Sequence, residues 1–235
     1  MLRVASVTKL CTAWAVLVAL EEGTVTLEDP LGPQGATVRH LLCHASGLDV
    51  DSDAVLAAPG TRRIYSNTGY DLLADHVGSS TGIPFGEYLH EAVLSPLGMT
   101  SSVLRGSAAK DLFSSVEDLL RLATELAEPR LLAASTANDA CGVQFPDLVG
   151  VLPGWGRQEP CPWGLGPEVR GTKAPHWTGA TASAATYGHF GGSGSLLWVD
   201  PVARVRCVAV CDREFDTWAV SAWPPFSDAV RVAYR

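Results

Sequence analysis

Residues 5–23 read ASVTKLCTAWAVLVALEEG. The spacing predicts a helix over 6–22, with Ser6 as its N-terminal cap and Gly23 as its stop. Leu10, Ala13, Trp14, Leu17, Val18 and Leu20 leave almost no polar face, so burial is expected. Arg3 and Lys9 ahead of an apolar run superficially suggest a leader peptide. Glu21 and Glu22 follow at once, however, and no A-x-A site is present, so the segment reads as a core helix. On that helix Ser6 and Lys9 lie three apart and share a face. A serine hydroxyl attacks carbonyls only with a base beside it, and an amine serves when burial depresses its pKa.

Outward from this helix, Val38 to Cys43 begins a short helix, closed by His44-Ala45-Ser46-Gly47-Leu48. Gly47 is its expected cap, and His44 reads as a buried, hydrogen-bonded group. Tyr65-Ser66-Asn67 leads into a helix ending near Ser79. Phe85 to Leu94 reads as another, and Ser114 to Glu128 as another with Ser115 as cap. Glycine, proline and tryptophan are dense over 142–180, so irregular loops are expected there. Tyr187 to Val199 and Val202 to Cys211 read as two strands split by Asp200-Pro201. Residues 217–234 suit a closing helix that Pro224-Pro225 interrupts or begins. The whole is expected to be α+β: an antiparallel sheet flanked by helices, plus a helical lobe. One domain over 1–235 is expected, with that lobe at about 38–140, the sheet at about 187–212 and the helix 217–234 closing it.

The 235 residues are 47% hydrophobic and 18% charged, a globular composition. The net charge of −8 argues against nucleic acid and against anionic lipid. Six cysteines form no CxxC pair, and the six histidines show no H-E-x-x-H spacing. No metal and no cofactor are therefore expected. The thiols read as small buried groups, compatible with a cytoplasmic protein.

Four motifs point to chemistry. Ser6-Val7-Thr8-Lys9 is an S-x-x-K tetrad. Tyr65-Ser66-Asn67 places a phenol and an amide two residues apart, suited to proton relay and to orienting a substrate. His189-Phe190-Gly191-Gly192 puts glycines where a substrate can approach a strand edge. The stretch LLCHASGL, residues 41–48, reads as structural. Each alone has a bland reading: a capped helix, a packed tyrosine, a weakened strand.

In order and spacing they resemble the serine β-lactamase-like superfamily, closest to the branch holding class C β-lactamases, D,D-peptidases and related esterases. PGTRRIYSNTGYDLLA, SPLGMTSSV and GHFGGSGSLLWVDP extend the likeness from residue 2 to about 213. The resemblance implies that Ser6 attacks a carbonyl and forms an acyl-enzyme. It implies that Lys9 and Tyr65 share base and acid work, and that Asn67 contacts substrate and Lys9. His189, Gly191 and Gly192 are placed at the substrate, with the N–H groups of Ser6 and Gly192 as an oxyanion hole. The implied partner is a small ester or amide, with no nucleic acid or membrane.

Two departures stand out. His189 and Phe190 occupy the first two places of a K-T-G motif whose groups hold a substrate carboxylate in relatives. Their loss favours an esterase over a β-lactamase or D,D-peptidase. Relatives also carry strands ahead of the S-x-x-K helix, so those N-terminal strands are expected to be missing here. That absence favours a rival reading, a catalytically inert binding protein of the same fold. Intact Ser6, Lys9, Tyr65 and Asn67 oppose it.

Overall fold

A computed structural model describes residues 1–234. In chain order its elements are β1 (Leu2–Arg3), α1 (Thr8–Glu21), α2 (Val38–Leu42), α3 (Asn67–Thr81) and α4 (Phe85–Leu89). Next come β2 (Val103–Leu104), β3 (Leu112–Ser114), α5 (Val116–Ala127) and α6 (Ala134–Cys141). β4 (Gly150–Leu152), β5 (Gly156–Gln158) and β6 (Glu168–Val169) follow. Then come β7 (Tyr187–Gly191), β8 (Ser195–Asp200), β9 (Val205–Ala209) and α7 (Thr217–Ala233). A 3-10 turn, Ala5–Val7, precedes α1, and a π-turn, His90–Leu94, prolongs α4. This is the α+β class expected from the sequence.

The main sheet is antiparallel in the order β6-β7-β8-β9. β8 is buried along its full length, Ser195 to Asp200. Period-2 alternation gives it two working faces. Leu197 and Val199 join the main core with Trp14 and Leu17 of α1 and Leu122 of α5. Leu196 and Trp198 join a second cluster with Ala219 and Trp223 of α7. A strand covered on both faces reads as an unbroken apolar run. That is why 187–199 looked like one strand. It is two, β7 and β8, turned at Gly192–Gly194 with Gly191 paired to Ser195. The expected turn at Asp200-Pro201 joins β8 to β9, and Asp200 Oδ1 accepts from the N–H groups of Val202 and Ala203.

Three further expectations need correction. Ser6 does not cap α1: it lies inside the 3-10 turn and makes no capping bond. Gly47 does not cap α2, which ends at Leu42 with Cys43 at its C-cap. Gly47 instead lies in the loop beyond α2 at a φ of +85°, its carbonyl accepting from Leu56 N–H at 2.8 Å, where a Cβ would sit 1.9 Å from the Ala57 carbonyl oxygen. Pro224 and Pro225 lie within α7 without ending it. That helix is pinned by tertiary bonds: Arg231 Nε donates to Asp200 Oδ2 at 3.1 Å, and Trp198 Nε1 donates to Ser227 Oγ at 3.1 Å. Tertiary context of this kind overrides local propensity. The 142–180 region is mostly irregular, as expected, but contains β4, β5 and β6.

Candidate active site

Ser6 sits on a strained and heavily tied turn. Ala5 before it has φ of +42°, unusual for a residue with a Cβ. Four bonds hold the turn. Val4 N–H donates to Leu112 O at 2.9 Å, and Ser195 Oγ donates to Val4 O at 2.7 Å. Thr8 Oγ1 donates to Ala5 O at 2.5 Å and accepts from Leu112 N–H at 3.1 Å. β3 and β8 thus clamp the residues on either side of Ser6. As a first-turn residue, Ser6 has an N–H with no intrahelical acceptor.

Gly191 explains how β7 comes so near. A Cβ there would lie 2.3 Å from Val4 O and 2.4 Å from Ser195 Oγ. At Gly192 a Cβ would meet nothing within 4 Å. The two glycines, read alike in the sequence, therefore differ in role. Gly191 admits the Ser6 turn, and Gly192 borders open space beside Ser6. Gly191→Ala is expected to lower stability by about 1–3 kcal/mol, a cost typical of overpacking, whereas Gly192→Ala stays near wild type. Urea unfolding of the two variants checks this.

Lys9 is fully buried. Its Nζ donates to Asn67 Oδ1 at 2.6 Å and to Ala109 O at 3.0 Å. It lies 4.5 Å from the centre of the Tyr65 ring and 5.3 Å from that of Tyr70. Burial pushes the amine well below the ordinary lysine range; Asp71 and Asp51 pull it back and Lys110 adds to the lowering. A neutral amine has two N–H bonds and one lone pair. Asn67 and Ala109 occupy two donors, so the neutral form keeps its lone pair for another partner.

Asn67 stands at the first position of α3, whose N-cap Ser66 accepts from Gly69 N–H at 3.0 Å. Its amide is locked at both ends, since Nδ2 donates to Asp51 Oδ1 at 2.8 Å. Asp51 also takes Lys110 Nζ at 3.1 Å. Tyr65 is stacked against His44, ring centres 4.4 Å apart. Its Oη is buried without a hydrogen-bond partner of good geometry. Burial pushes the phenol above the ordinary tyrosine range, against the pull of the nearby Ser6 side chain. His44 accepts from Ser66 N–H through Nδ1 at 3.1 Å, while its Nε2 is buried without a partner.

Ser6, Tyr65, His189 and Gly192 share one cavity of about 180 Å³. Its remaining walls are Val151, Leu152, Pro153, Trp163, Phe190 and Phe215. None of the described residues lining it is Asp, Glu, Lys or Arg. His189 is buried, and burial, reinforced by the Lys9 amine, takes its imidazole down to about 4. It is neutral above that.

The structure thus gathers Ser6, Tyr65, His189 and Gly192 around one space, with Lys9 and Asn67 bonded to each other beneath Tyr65. Gly191 stands behind the Ser6 turn. Sequence reading missed Asp51, the Ala109 carbonyl and the 151–163 wall. It also missed Arg63, a buried guanidinium that donates to the carbonyls of Cys43, Gln144, Phe145 and Cys161. Those four bonds tie the end of α2 to the loops carrying Trp163. Behind Trp163, Glu168 Oε1 meets Lys173 Nζ at 2.5 Å and His176 Nε2 at 2.8 Å, while Oε2 takes Trp177 Nε1 at 2.8 Å. Burial alone would raise that carboxyl; Lys173 and His176 hold it below the usual range.

Comparison with known proteins places this arrangement. A family profile described as beta-lactamase matches residues 1–225. A beta-lactamase from Mycobacterium bovis, solved by crystallography, is 51% identical with a TM-score of 0.97, over 99% of this chain and 86% of that one. A mutant simvastatin synthase from Aspergillus terreus shares the fold at a TM-score of 0.77 and 19% identity, over 99% of this chain and 81% of that one. The D-alanyl-D-alanine-carboxypeptidase/endopeptidase AmpH of Escherichia coli (strain K12) is 31% identical over 134 residues, 41% of this chain and 35% of that protein. That match spans 35% of the length of AmpH, and matches to two further curated relatives, a penicillin-binding protein of Bacillus subtilis (strain 168) and a protein of Escherichia coli O157:H7, span 29% and 46% of theirs.

Proposed function

This chain belongs to the beta-lactamase family, a family of serine hydrolases, and on that premise we propose that it hydrolyses uncharged esters through an acyl-enzyme on Ser6. The supporting observation is the buried Lys9 amine, with both its hydrogen-bond acceptors supplied by Asn67 and Ala109. In the neutral form its lone pair takes the Ser6 proton as Oγ attacks the carbonyl carbon. The N–H groups of Ser6 and Gly192 receive the oxyanion. The C–O bond to the alcohol then breaks, and the leaving oxygen takes the Tyr65 proton. The Lys9 ammonium returns a proton to Tyr65. Water repeats the sequence in reverse and frees the acid.

Opposite pKa displacements support this division of labour. Tyr65 keeps its proton and Lys9 sheds one, so the amine is the base and the phenol the acid. Asn67, held by Asp51, positions Lys9. The preference for esters rests on the cavity wall. A β-lactam or a D-alanyl peptide carries a carboxylate, and desolvating one against Val151, Leu152, Phe190 and Phe215 without a cationic partner is costly.

Hydrolysis of β-lactams is the second reading, favoured by the 51% identical M. bovis beta-lactamase. Parallel assays with p-nitrophenyl acetate and nitrocefin decide between them. The expected result is a kcat/KM at least ~10-fold higher for the ester. Turnover of nitrocefin without turnover of the ester would overturn the ester preference.

A further inference from the structure

His189 offers a hydrogen-bond direction that the residue type alone does not reveal. Its Nδ1 lies 2.7 Å from the Phe190 carbonyl oxygen. A carbonyl only accepts, so Nδ1 carries the proton. In the neutral ring the other nitrogen is then a bare acceptor. That atom, Nε2, is buried and has no partner. The side chain lines the cavity that holds Ser6 and Tyr65, with ring centres 5.8 Å from Tyr65 and 5.7 Å from Trp163. The ionisable groups acting on it are Lys9, whose protonated form opposes protonation of the imidazole, and Glu168, which is spent on Lys173, His176 and Trp177. A buried acceptor left empty is costly; among the described residues the other unpartnered buried side-chain atoms are Trp14 Nε1, His44 Nε2, Tyr65 Oη and Arg170 Nε, and of these only Tyr65 shares the Ser6 cavity with His189.

We propose that His189 determines specificity by accepting, through Nε2, a hydrogen bond from a hydroxyl or N–H group on an uncharged substrate. This deepens the acyl-transfer reading of the Ser6 cavity and rests on it. The polarity matters. An ammonium at this position would donate and attract a carboxylate, whereas Nε2 repels a carboxylate oxygen and rewards a donor. The preferred substrates are therefore neutral hydroxy or amido esters, with apolar parts against Val151, Leu152 and Phe215.

Two matched ester pairs test this, one with a hydroxyl added to the acyl chain (p-nitrophenyl 3-hydroxybutyrate against butyrate) and one with it added to the alcohol. A p-nitrophenyl hemisuccinate supplies the carboxylate. At least one hydroxylated ester is expected to exceed its plain partner by roughly 10-fold in kcat/KM, with the hemisuccinate poorest. His189→Phe is expected to bring that ratio close to one. Long-range ¹⁵N NMR of the wild-type protein at pH 7 is expected to show the Nδ1–H tautomer of His189, a readout independent of activity and of whether the variant folds. Flat ratios in both pairs, preference for the hemisuccinate, an Nε2–H tautomer or an imidazolium would each overturn the inference. Fluorophosphonate labelling separates the two levels. Labelled Ser6 with flat ratios removes this inference alone; no labelling and no ester turnover removes it together with the acyl-enzyme reading.

Discussion

Ser6→Ala is expected to abolish covalent labelling by a fluorophosphonate and to lower ester kcat by roughly 10⁴-fold or more. The expectation is large because the turn has no substitute nucleophile in the same position. Thr8, two residues on, spends its proton on Ala5 O and accepts from Leu112 N–H, so it is occupied in both directions. Ser195 is likewise committed to Val4 O. Removing one oxygen from the half-buried Ser6 leaves those clamps intact, so the melting temperature should barely move while activity vanishes. Intact-mass spectrometry reads the adduct. Loss of labelling accompanied by unfolding would point to a structural role for the hydroxyl instead.

The second large effect is Lys9→Ala, expected to cost about 10²–10⁴-fold in kcat, the range of general-base catalysis. His189→Ala should cost less in kcat, because the imidazole is proposed to bind substrate and to take no part in the proton transfer. The pH dependence follows from the direction of the Lys9 displacement. Burial holds its folded-state pKa well below the ordinary lysine range, so the free base is present at lower pH than for an exposed lysine. Activity should rise with pH through that lowered value and then level. Tyr65, raised above its ordinary range, should impose no alkaline fall within the ordinary tyrosine range. Equal kcat losses in Lys9→Ala and His189→Ala would contradict the assignment.

Where sequence reading succeeded, one local rule dominated. Ser115 caps its helix because a short hydroxyl side chain reaches the N–H three residues on. The apolar residues of α1 announce a helix buried on all sides. Where it fell short, distant groups decided. Ser6 left the cap position because the Val4–Ala5 backbone is drawn onto β3 and β8 by Leu112 and Ser195. Gly192-Ser193-Gly194 went unread as a turn because apolar residues flank it on both sides. The walls supplied by Val151, Pro153 and Trp163 lie in a segment without periodicity, held by Arg63 and by a buried ionic cluster whose members are scattered in the chain. Ala109 contributes through its carbonyl, which no side-chain motif reports. The motifs named the groups proposed to react; only the tertiary structure shows that Asn67 and Ala109 both accept from Lys9 Nζ, and that Nε2 of His189 has no partner.

The claim beneath all of this is that a dehydrated amine at residue 9 activates the hydroxyl at residue 6. The rate of Ser6 phosphonylation measured against pH, in wild type and in Lys9→Ala, tests it most directly. A single ionisation on the acid side, lying below the range of an exposed lysine and absent from the variant, is the predicted result. A rate that ignores pH in the wild type, or the same profile in both proteins, would contradict it.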